Sequence, residues 1–206
     1  MSEIWFTADT HFGHANIIRY CGRPFETKEE HDAVLIQNWN SVVRPNDTVY
    51  HLGDFGYGDP IALKKIAARL SGRIHFIKGN HDKPSTIDII GGRFSTVNDV
   101  HVITPKINDK KQTIFLSHYA HRSWYKSNHG SWHLWGHSHG NMESYGLSFD
   151  CGVDCWNFTP ISLKQVEAKM ETLQLRLDYN PADQHGSEIT VNKDKLDEAK
   201  AEDGAY

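Results

Sequence analysis

Five short apolar stretches of this chain each end in a segment rich in histidine, aspartate or asparagine. The middle stretch, residues 73–78, alternates in hydrophobicity, which predicts a β-strand, and it leads directly into Gly79-Asn80-His81-Asp82. The other four segments are Asp9-Thr10-His11, Gly53-Asp54, Ser117-His118 and Gly136-His137-Ser138-His139. Because side chains of these types bind divalent metals, we expect a fold that brings the five strand ends to one site.

The first half of the chain alternates between predicted strands and predicted helices. Strands are expected at residues 3–9, 47–52 and 73–78, where apolar side chains alternate. A capping box at Thr27-Lys28-Glu29-Glu30 predicts that the first helix begins near Thr27, and Gly72 is expected to end the second. This order favours a parallel, doubly wound sheet with the site at the carboxyl ends of its strands.

The second half, from about residue 92, has a different pattern. Further apolar runs predict strands at residues 98–104, 112–117, 133–135 and 147–149. The first two of these flank an Asn108-Asp109-Lys110 turn, which predicts a hairpin, and a capping box at residues 162–165 predicts a final helix. We therefore expect a mixed α/β fold whose second half is more antiparallel than its first.

The composition bounds the class of protein. With 206 residues, of which 38% are hydrophobic and 23% charged, the chain can form one soluble domain, which we place at residues 1–179. Residues 180–206 are polar and charged, and we expect a weakly packed or disordered tail. No apolar run is long enough to span a bilayer, and the three cysteines match no zinc motif. With no secretory signal at the amino terminus, we expect a cytoplasmic protein that binds no membrane.

The spacing of the polar residues suits a metal site. Asp9 and His11 are two residues apart, so on an extended segment their side chains point the same way. His137 and His139 have the same spacing, and Asp54 follows a glycine at a strand end, where a carboxylate can bridge two cations. The remaining donors are Asn80 and His118. Because the set is nitrogen and oxygen without thiolate, it suits Mn, Fe, Zn, Co or Ni better than a magnesium-only or calcium site.

A pair of such cations indicates a particular chemistry. Two divalent ions roughly 3.5–4 Å apart can activate a bridging water, neutralise phosphate oxygens and align the leaving oxygen of a phosphoester. A general acid must then protonate the leaving group. His81 is the candidate for this role, and Asp82 is expected to hold its imidazole in one tautomer or to favour its protonated form.

Taken in order, the five segments resemble the pattern of the calcineurin-like metallophosphoesterase superfamily: D-x-H, GD, GNH followed by an acidic residue, H, and GHxH. The resemblance covers roughly residues 4–165 and looks closest to small single-domain bacterial and phage phosphoesterases. In these, Arg23-Pro24-Phe25 and Gly152-Val153-Asp154-Cys155-Trp156-Asn157 also have counterparts. The resemblance implies a four-layer α/β/β/α sandwich with two mixed β-sheets.

The resemblance also implies two divalent metal ions, for which we expect manganese, with Fe, Zn, Ni, Co or Mg as alternatives. One ion would be held by Asp9, His11, Asp54 and His139. The other would be held by Asp54, Asn80, His118 and His137, with Asp54 as the bridge. His81 and Asp82 match the catalytic histidine and its acidic partner, and no ligand position is substituted.

Three further residues are candidates for contacts with the substrate. His14 lies just past the D-x-H segment and either touches phosphate or fixes the loop. Arg23 either stabilises phosphate charge or packs on Phe25, and Arg122 is a second candidate for a phosphate contact.

Several functions are compatible with these residues. The first is a phosphodiesterase or phosphatase that acts on a small molecule such as a nucleotide or cyclic nucleotide. A nuclease would need an electropositive groove, which the net charge of −4 disfavours. A non-catalytic binding scaffold would have lost ligands, and a structural metal site would be closed by four ligands, often thiolates.

Overall fold

A computed structural model describes residues 2–176 of the chain. Its α-helices are α1 (Ala15–Tyr20), α2 (Lys28–Val42), α3 (Pro60–Ala67), α4 (Pro84–Ile90) and α5 (Leu163–Met170). Single 3-10 turns lie at Gly91–Arg93, Ser127–His129 and Val153–Cys155. The helix starts follow local chemistry: the Thr27 hydroxyl accepts a hydrogen bond from the Glu30 backbone N–H at 3.1 Å, so α2 begins where its capping residue predicts.

The strands form two sheets and a small hairpin. They are β1 (Ile4–Thr7), β2 (Thr48–His51), β3 (Arg73–Ile77), β4 (Phe94–Asn98), β5 (Val100–Ile103), β6 (Lys106–Ile107), β7 (Lys110–Lys111), β8 (Ile114–Ser117), β9 (Trp132–Trp135), β10 (Ser148–Asp150) and β11 (Ile161–Ser162). The first sheet has the order β11-β1-β2-β3-β4 and the second the order β10-β9-β8-β5. In the first sheet only β11 runs antiparallel to its neighbour, and in the second only β5 does.

The first sheet separates two apolar cores, because successive side chains of a strand point to opposite faces. On one face, Val49, Ile74 and Phe76 pack with α2 and α3. On the other face, Tyr50 and Leu52 pack against the second sheet, which contributes Ile114, Leu116, Leu134 and Phe149. The first sheet is thus covered on both faces, and only its strand ends reach solvent-accessible loops.

The outer face of the second sheet is covered by the segment 119–131. Phe115 and His133, which are neighbours in register, point to this face, and the Trp124 ring lies 5.3 Å from that of His133. Trp124 is 7% exposed and His133 is fully buried. The outermost layer is therefore an irregular segment with one 3-10 turn, and the fold is an α/β sandwich with two mixed sheets, as the sequence predicts.

The hairpin around Asn108 and Asp109 is confirmed. Lys106–Ile107 pairs with Lys110–Lys111, and both turn residues have positive φ, 49° and 63°. Two consecutive residues with positive φ form a turn whose twist matches that of the flanking strands. After glycine, asparagine and aspartate adopt positive φ most readily.

The expectation of a second half that is more antiparallel than the first is confirmed, although not all of its strand pairs are antiparallel. Strands β1, β2 and β3 pair in parallel, whereas β5–β8, β6–β7 and β1–β11 are antiparallel. Within the second sheet, β8–β9 and β9–β10 are nevertheless parallel. The connections between these parallel strands contain no α-helix, so the alternation of strand and helix that signals a parallel sheet is missing from the sequence. The elements α1, α4, β4 and β11 were also not predicted.

Two features concern the chain as a whole: helices that could cross a membrane, and the predicted tail. Within residues 2–176, no helix has the length and apolar character needed to cross a membrane. The predicted tail, residues 180–206, lies outside the described residues, so the domain boundary at 179 stays a prediction. All three cysteines are free thiols.

The buried ring of His133 predicts a pH dependence of stability. Burial, together with the nearby His121, lowers the pKa of His133 to about 3, so the folded protein keeps this ring neutral. The unfolded chain protonates it below about pH 6.5, so its contribution to stability is lost as the pH falls below that value. Between pH 6.5 and pH 5, we expect the wild type to lose about 2 kcal/mol more than His133→Gln.

Urea unfolding of both proteins at the two pH values measures this difference. Every other titrating group is common to the two proteins and cancels in the comparison. Equal losses of stability would contradict a neutral His133 in the folded state.

Candidate metal centre

The five polar segments lie at the carboxyl ends of strands in both sheets. Asp9, Asp54 and Asn80 follow β1, β2 and β3 of the first sheet. His118 and His137 follow β8 and β9 of the second sheet. The backbone N–H of His137 donates to Asp9 Oδ2 at 2.8 Å, so the segments of the two sheets are in direct contact.

The carboxylate of Asp54 lies at the centre of the cluster. Its Oδ2 atom is 3.5 Å from His11 Nε2 and 3.6 Å from His118 Nε2. Its Oδ1 atom accepts a hydrogen bond from the backbone N–H of His81 at 2.9 Å. One oxygen therefore holds the loop in place, and the other is shared between two imidazoles from different sheets.

The backbone of the cluster is strained. Asp9, His11, Asp54, His137 and His139 have φ values of 57°, 48°, 55°, 69° and 49°. Residues other than glycine rarely adopt this left-handed region, and such strain concentrates at functional sites. In an extended backbone successive side chains would point to opposite sides. The positive φ values instead let the side chains of these residues point toward a common place.

His118 and Asn80 present two electron-rich atoms to each other. The Nδ1 atom of His118 is 2.8 Å from the Leu52 carbonyl oxygen, which can only accept, so Nδ1 carries the proton. Burial lowers the pKa of His118 and favours the neutral ring. The Nε2 lone pair then faces Asn80 Oδ1 at 3.0 Å, an arrangement that suits joint coordination of a cation.

Asp9 and His11 carry buried polar atoms without hydrogen-bond partners. Asp9 Oδ1 and both ring nitrogens of His11 lack one among the described residues, although both side chains are at most 1% exposed. Such orphaned atoms are rare in native proteins and call for an explanation such as a bound ion. A cation between these atoms would satisfy them.

Burial raises the pKa of Asp9 and lowers the pKa of His11. Burial and the nearby Asp150 and Asp54 raise the pKa of Asp9 well above its ordinary value. Burial, followed by the nearby His139 and Arg23, lowers the pKa of His11. Without added positive charge the site therefore disfavours an ionised Asp9, and a cation would favour both the carboxylate and the neutral imidazole.

Two groups of candidate ligands fit metal ions. In the part of the chain that the structure describes, Asp9, His11 and His139 offer ligand atoms within 4.8 Å of one another, as do Asp54, His118 and His137. The structure thus brings together all seven residues that the sequence nominated as metal ligands, with Asn80 joined through its contact with His118. Cys21, His139 and Asp154 meet the same distance criterion, but Asp154 is engaged by Arg23.

His139 is held by a carboxylate that the sequence analysis did not single out. Its Nδ1 atom donates to Asp154 Oδ2 at 2.7 Å, which leaves Nε2 with the lone pair. Burial raises the pKa of Asp154, but hydrogen bonds from His139 and Arg23 outweigh it and lower the pKa below its ordinary value. The signal in the sequence was an acidic residue shortly after a strand end, in Gly152-Val153-Asp154.

Arg23 is a buried structural residue, so of the two roles considered for it, a phosphate contact and packing on Phe25, the phosphate contact has no support. All five guanidinium N–H groups are used: Nε and one terminal nitrogen bind Asp154, and the others bind His31 and the carbonyls of Thr10 and Asp9. The residue is 4% exposed. No donor is free for a substrate, and the guanidinium instead fixes the loop that carries Asp9.

Asp82 also has a role different from the predicted one. Its two carboxylate oxygens accept hydrogen bonds from the backbone N–H groups of Asp54, Phe55 and Gly79, at 2.7, 3.0 and 2.7 Å. Among the described residues, no hydrogen bond joins this carboxylate to the His81 ring. Asp82 therefore ties the Gly53-Asp54 loop to the Gly79-Asn80 loop and does not fix the tautomer of His81 by a hydrogen bond, while the other predicted effect, on the protonated form of His81, stays a prediction.

The cluster has a buried floor and an exposed rim. Asn80, His81 and His137 are exposed, and the His81 ring lies 5.4 Å from that of His11. His14 is half-buried, with its ring 5.6 Å from that of His11. Arg122 lies over the Tyr145 ring and lines a separate cavity of about 230 Å³, which none of the candidate metal ligands lines. Its predicted phosphate contact has no support from this position.

Two glycines of the motifs are required by close packing. A Cβ atom at Gly136 would lie 2.5 Å from Asp9 Oδ2, and one at Gly79 would collide with Asp54 Oδ1. Real Cβ atoms do not approach oxygen so closely, so any side chain at either position would displace a carboxylate of the cluster.

Fold and cluster together define an α/β sandwich protein with a histidine–aspartate cluster that can hold metal ions. Over 180 residues the chain is 36% identical to the uncharacterized protein MJ1445 of Methanocaldococcus jannaschii, covering 83% of this chain and 93% of that protein. It is 30% identical over 185 residues to the gene 66 protein of Mycobacterium phage L5, covering 76% and 88%. The chain therefore belongs to the family that includes these two proteins, while no family model matches it.

The solved structures that this chain resembles are more distant in sequence. A protein of unknown function, AQ665 from Aquifex aeolicus, is 24% identical with a TM-score of 0.65, covering 82% of this chain and all of that one. This likeness shows the shared fold. A structure described as a novel archaeal phosphodiesterase is 22% identical with a TM-score of 0.38, covering 73% and 82%.

The ion pair between Arg23 and Asp154 predicts a loss of stability on mutation. Asp154→Asn removes the negative partner of a guanidinium whose side chain is fully buried. Because this leaves an uncompensated charge, we expect the free energy of unfolding to fall by about 3 kcal/mol.

Urea unfolding of chelator-treated protein measures this loss. The matched control is Glu29→Gln, which breaks the exposed pair with Lys28 and should cause no measurable change. A loss no larger in Asp154→Asn than in this control would contradict the structural role of the buried pair.

Proposed function

We propose that the protein is a metal-dependent phosphoester hydrolase that acts as a phosphodiesterase or phosphatase on a small molecule such as a nucleotide or cyclic nucleotide. The observation that carries the proposal is the position of Asp54 Oδ2, 3.5 Å from His11 Nε2 and 3.6 Å from His118 Nε2. A carboxylate oxygen shared by two neutral imidazoles from two sheets suits a ligand that bridges two cations. The order of the five motif segments supports the same reading.

The residues divide between two ions as the family resemblance implies. One ion would be held by Asp9, His11, Asp54 and His139, and the other by Asp54, Asn80, His118 and His137. The two spatial groups of candidate ligands support this division. When bound, two divalent ions supply an activated water as nucleophile and neutralise charge on the phosphate oxygens. We expect manganese, with Fe, Zn, Ni, Co or Mg as alternatives, because mixed nitrogen and oxygen donors narrow the choice of divalent ion without fixing it.

His81 is the candidate general acid. Its backbone N–H is fixed to Asp54 Oδ1 at 2.9 Å, so the residue is anchored to the proposed bridging ligand. Its exposed imidazole stands beside the buried floor of the cluster, where it can give a proton to the leaving oxygen of a bound ester. The exposed rim also supports a catalytic site over a structural one, because a structural metal site is closed by protein ligands.

The proposal is tested by reconstituting metal-stripped protein with Mn, Ni, Zn, Mg or Fe(II). Each form is assayed with a phosphomonoester, a phosphodiester, cyclic nucleotides and single-stranded DNA. We expect hydrolysis of at least one small ester, highest with Mn and absent without metal. Hydrolysis of DNA alone would favour the nuclease, and no metal-dependent activity on any substrate would overturn the proposal.

The bridging role of Asp54 makes a prediction about metal content. Asp54→Asn weakens a ligand common to both ions, so occupancy of both should fall together, from about two ions per chain toward none. Elemental analysis after dialysis against a fixed Mn concentration measures the content. Asp88→Asn, at an exposed position of α4, is the control and should keep the wild-type content. Normal content in Asp54→Asn would refute the bridge.

The acid role of His81 makes a prediction about leaving groups. His81→Ala should retain its metals, because the imidazole is not among the proposed ligands. Its rate on esters with alkoxide leaving groups should fall by about 10²–10⁴-fold, because these need a proton. The rate on p-nitrophenyl esters should fall far less. Steady-state kinetics on both ester types, with metal content as a control, measures the difference, and equal losses on both would show that His81 is not the acid.

A further inference from the structure

A second concave feature adjoins the metal cluster and is not used by the function proposed above. It is a cavity of about 150 Å³ between the loop after β2 and the beginning of α4. Its lining residues are Gly56, Tyr57, Gly58, His81, Lys83 and Thr86. His81 belongs to both sites, since its ring also lies 5.4 Å from that of His11.

Tyr57 forms an aromatic wall of this cavity. It is 45% exposed, so part of its ring faces the cavity and solvent. Its ring lies 4.9 Å from that of His14 and 6.4 Å from that of His81, and its backbone N–H donates to the Phe12 carbonyl at 2.9 Å. The ring is thus held at a fixed place next to the candidate acid.

Lys83 supplies a positive charge at the same cavity. Its ammonium lies 5.5 Å from the centre of the Tyr57 ring, and in residues 2–176 no carboxylate pairs with it. Lys78, five residues earlier, instead binds Asp99 at 2.7 Å. Asp82, which precedes Lys83, accepts hydrogen bonds from three backbone amides, so the backbone next to Lys83 is held in place.

We propose that this cavity binds a second anionic group of the substrate, a carboxylate or a phosphate, on the leaving-group side of the scissile bond. The inference rests on the proposed function, because His81 as general acid would protonate the leaving oxygen of the ester. The cavity that His81 lines therefore lies on the side of the leaving group. The ammonium of Lys83, with no carboxylate partner in residues 2–176, is suited to a small anion. A cavity of about 150 Å³ has room for such a group but not for a whole nucleoside.

Two phosphonates that differ only in a second anion test the proposal by calorimetry on the manganese-loaded protein. They are 3-phosphonopropionate and propylphosphonate, whose flexible chain does not require an exact spacing. We expect the wild type to bind the carboxylate-bearing ligand about tenfold more tightly, as one charge-assisted hydrogen bond implies. In Lys83→Met the ratio of the two dissociation constants should fall to about one. In Lys83→Arg most of the tenfold preference should be retained.

Lys65→Met is the matched control, because it removes an exposed lysine of α3 that does not line the cavity, and it should keep the wild-type ratio. A ratio near one in the wild type, or an unchanged ratio in Lys83→Met, would overturn the anionic subsite. An equal loss of affinity for both ligands in Lys83→Met would also overturn it, since Lys83 would then contact the scissile phosphate. If neither phosphonate binds the metal-loaded wild type, the proposed function fails and the subsite with it.

Discussion

The structure around the site depends on buried electron-rich atoms that approach one another closely and that a cation would hold together. Asp9, His11 and Asp54 are each at most 1% exposed, and their free oxygen and nitrogen atoms face a common point. In a low-dielectric interior such an arrangement is costly unless a cation is present. The strand ends of both sheets converge there, so the same point also joins the two halves of the fold.

The groups around the cluster are fixed by the protein itself. Arg23 and Asp154 hold His139 and the Asp9 loop, Asp82 ties together two loops, and the Leu52 carbonyl sets the tautomer of His118. Each of these contacts is made by protein atoms alone. Protein contacts of this kind limit the orientations that the ligands can adopt, which raises affinity for an ion and selects its geometry.

The sequence predicted the convergence of the site better than the detail of its contacts. Asp54 and His118 could be assigned to one place because each follows a short apolar run, and strand ends of a sheet meet at one edge. The mistaken roles of Arg23 and Asp82 have a common cause. Residue type shows that a guanidinium or carboxylate is present, but burial and the direction of its hydrogen bonds depend on residues far away in the chain.

The fold shows the same division between local and long-range information. The start of α2 and the turn at Asn108 depend on neighbouring residues and were predictable. The direction of β9 depends on the path of the segment 119–131, which has no periodic pattern and contains one short 3-10 turn. A connection of this kind carries no local signal that distinguishes a parallel from an antiparallel return.

The unequal exposure of the two ligand groups has a consequence for ion exchange. Asp9 and His11 are buried, whereas Asn80 and His137 face solvent. The first group has no fully exposed ligand, since His139 is half-buried, whereas the second combines the buried Asp54 and His118 with the exposed Asn80 and His137. The two bound ions would therefore exchange with solution at different rates. A protein transferred to a solution of another metal could then hold two different metals at once.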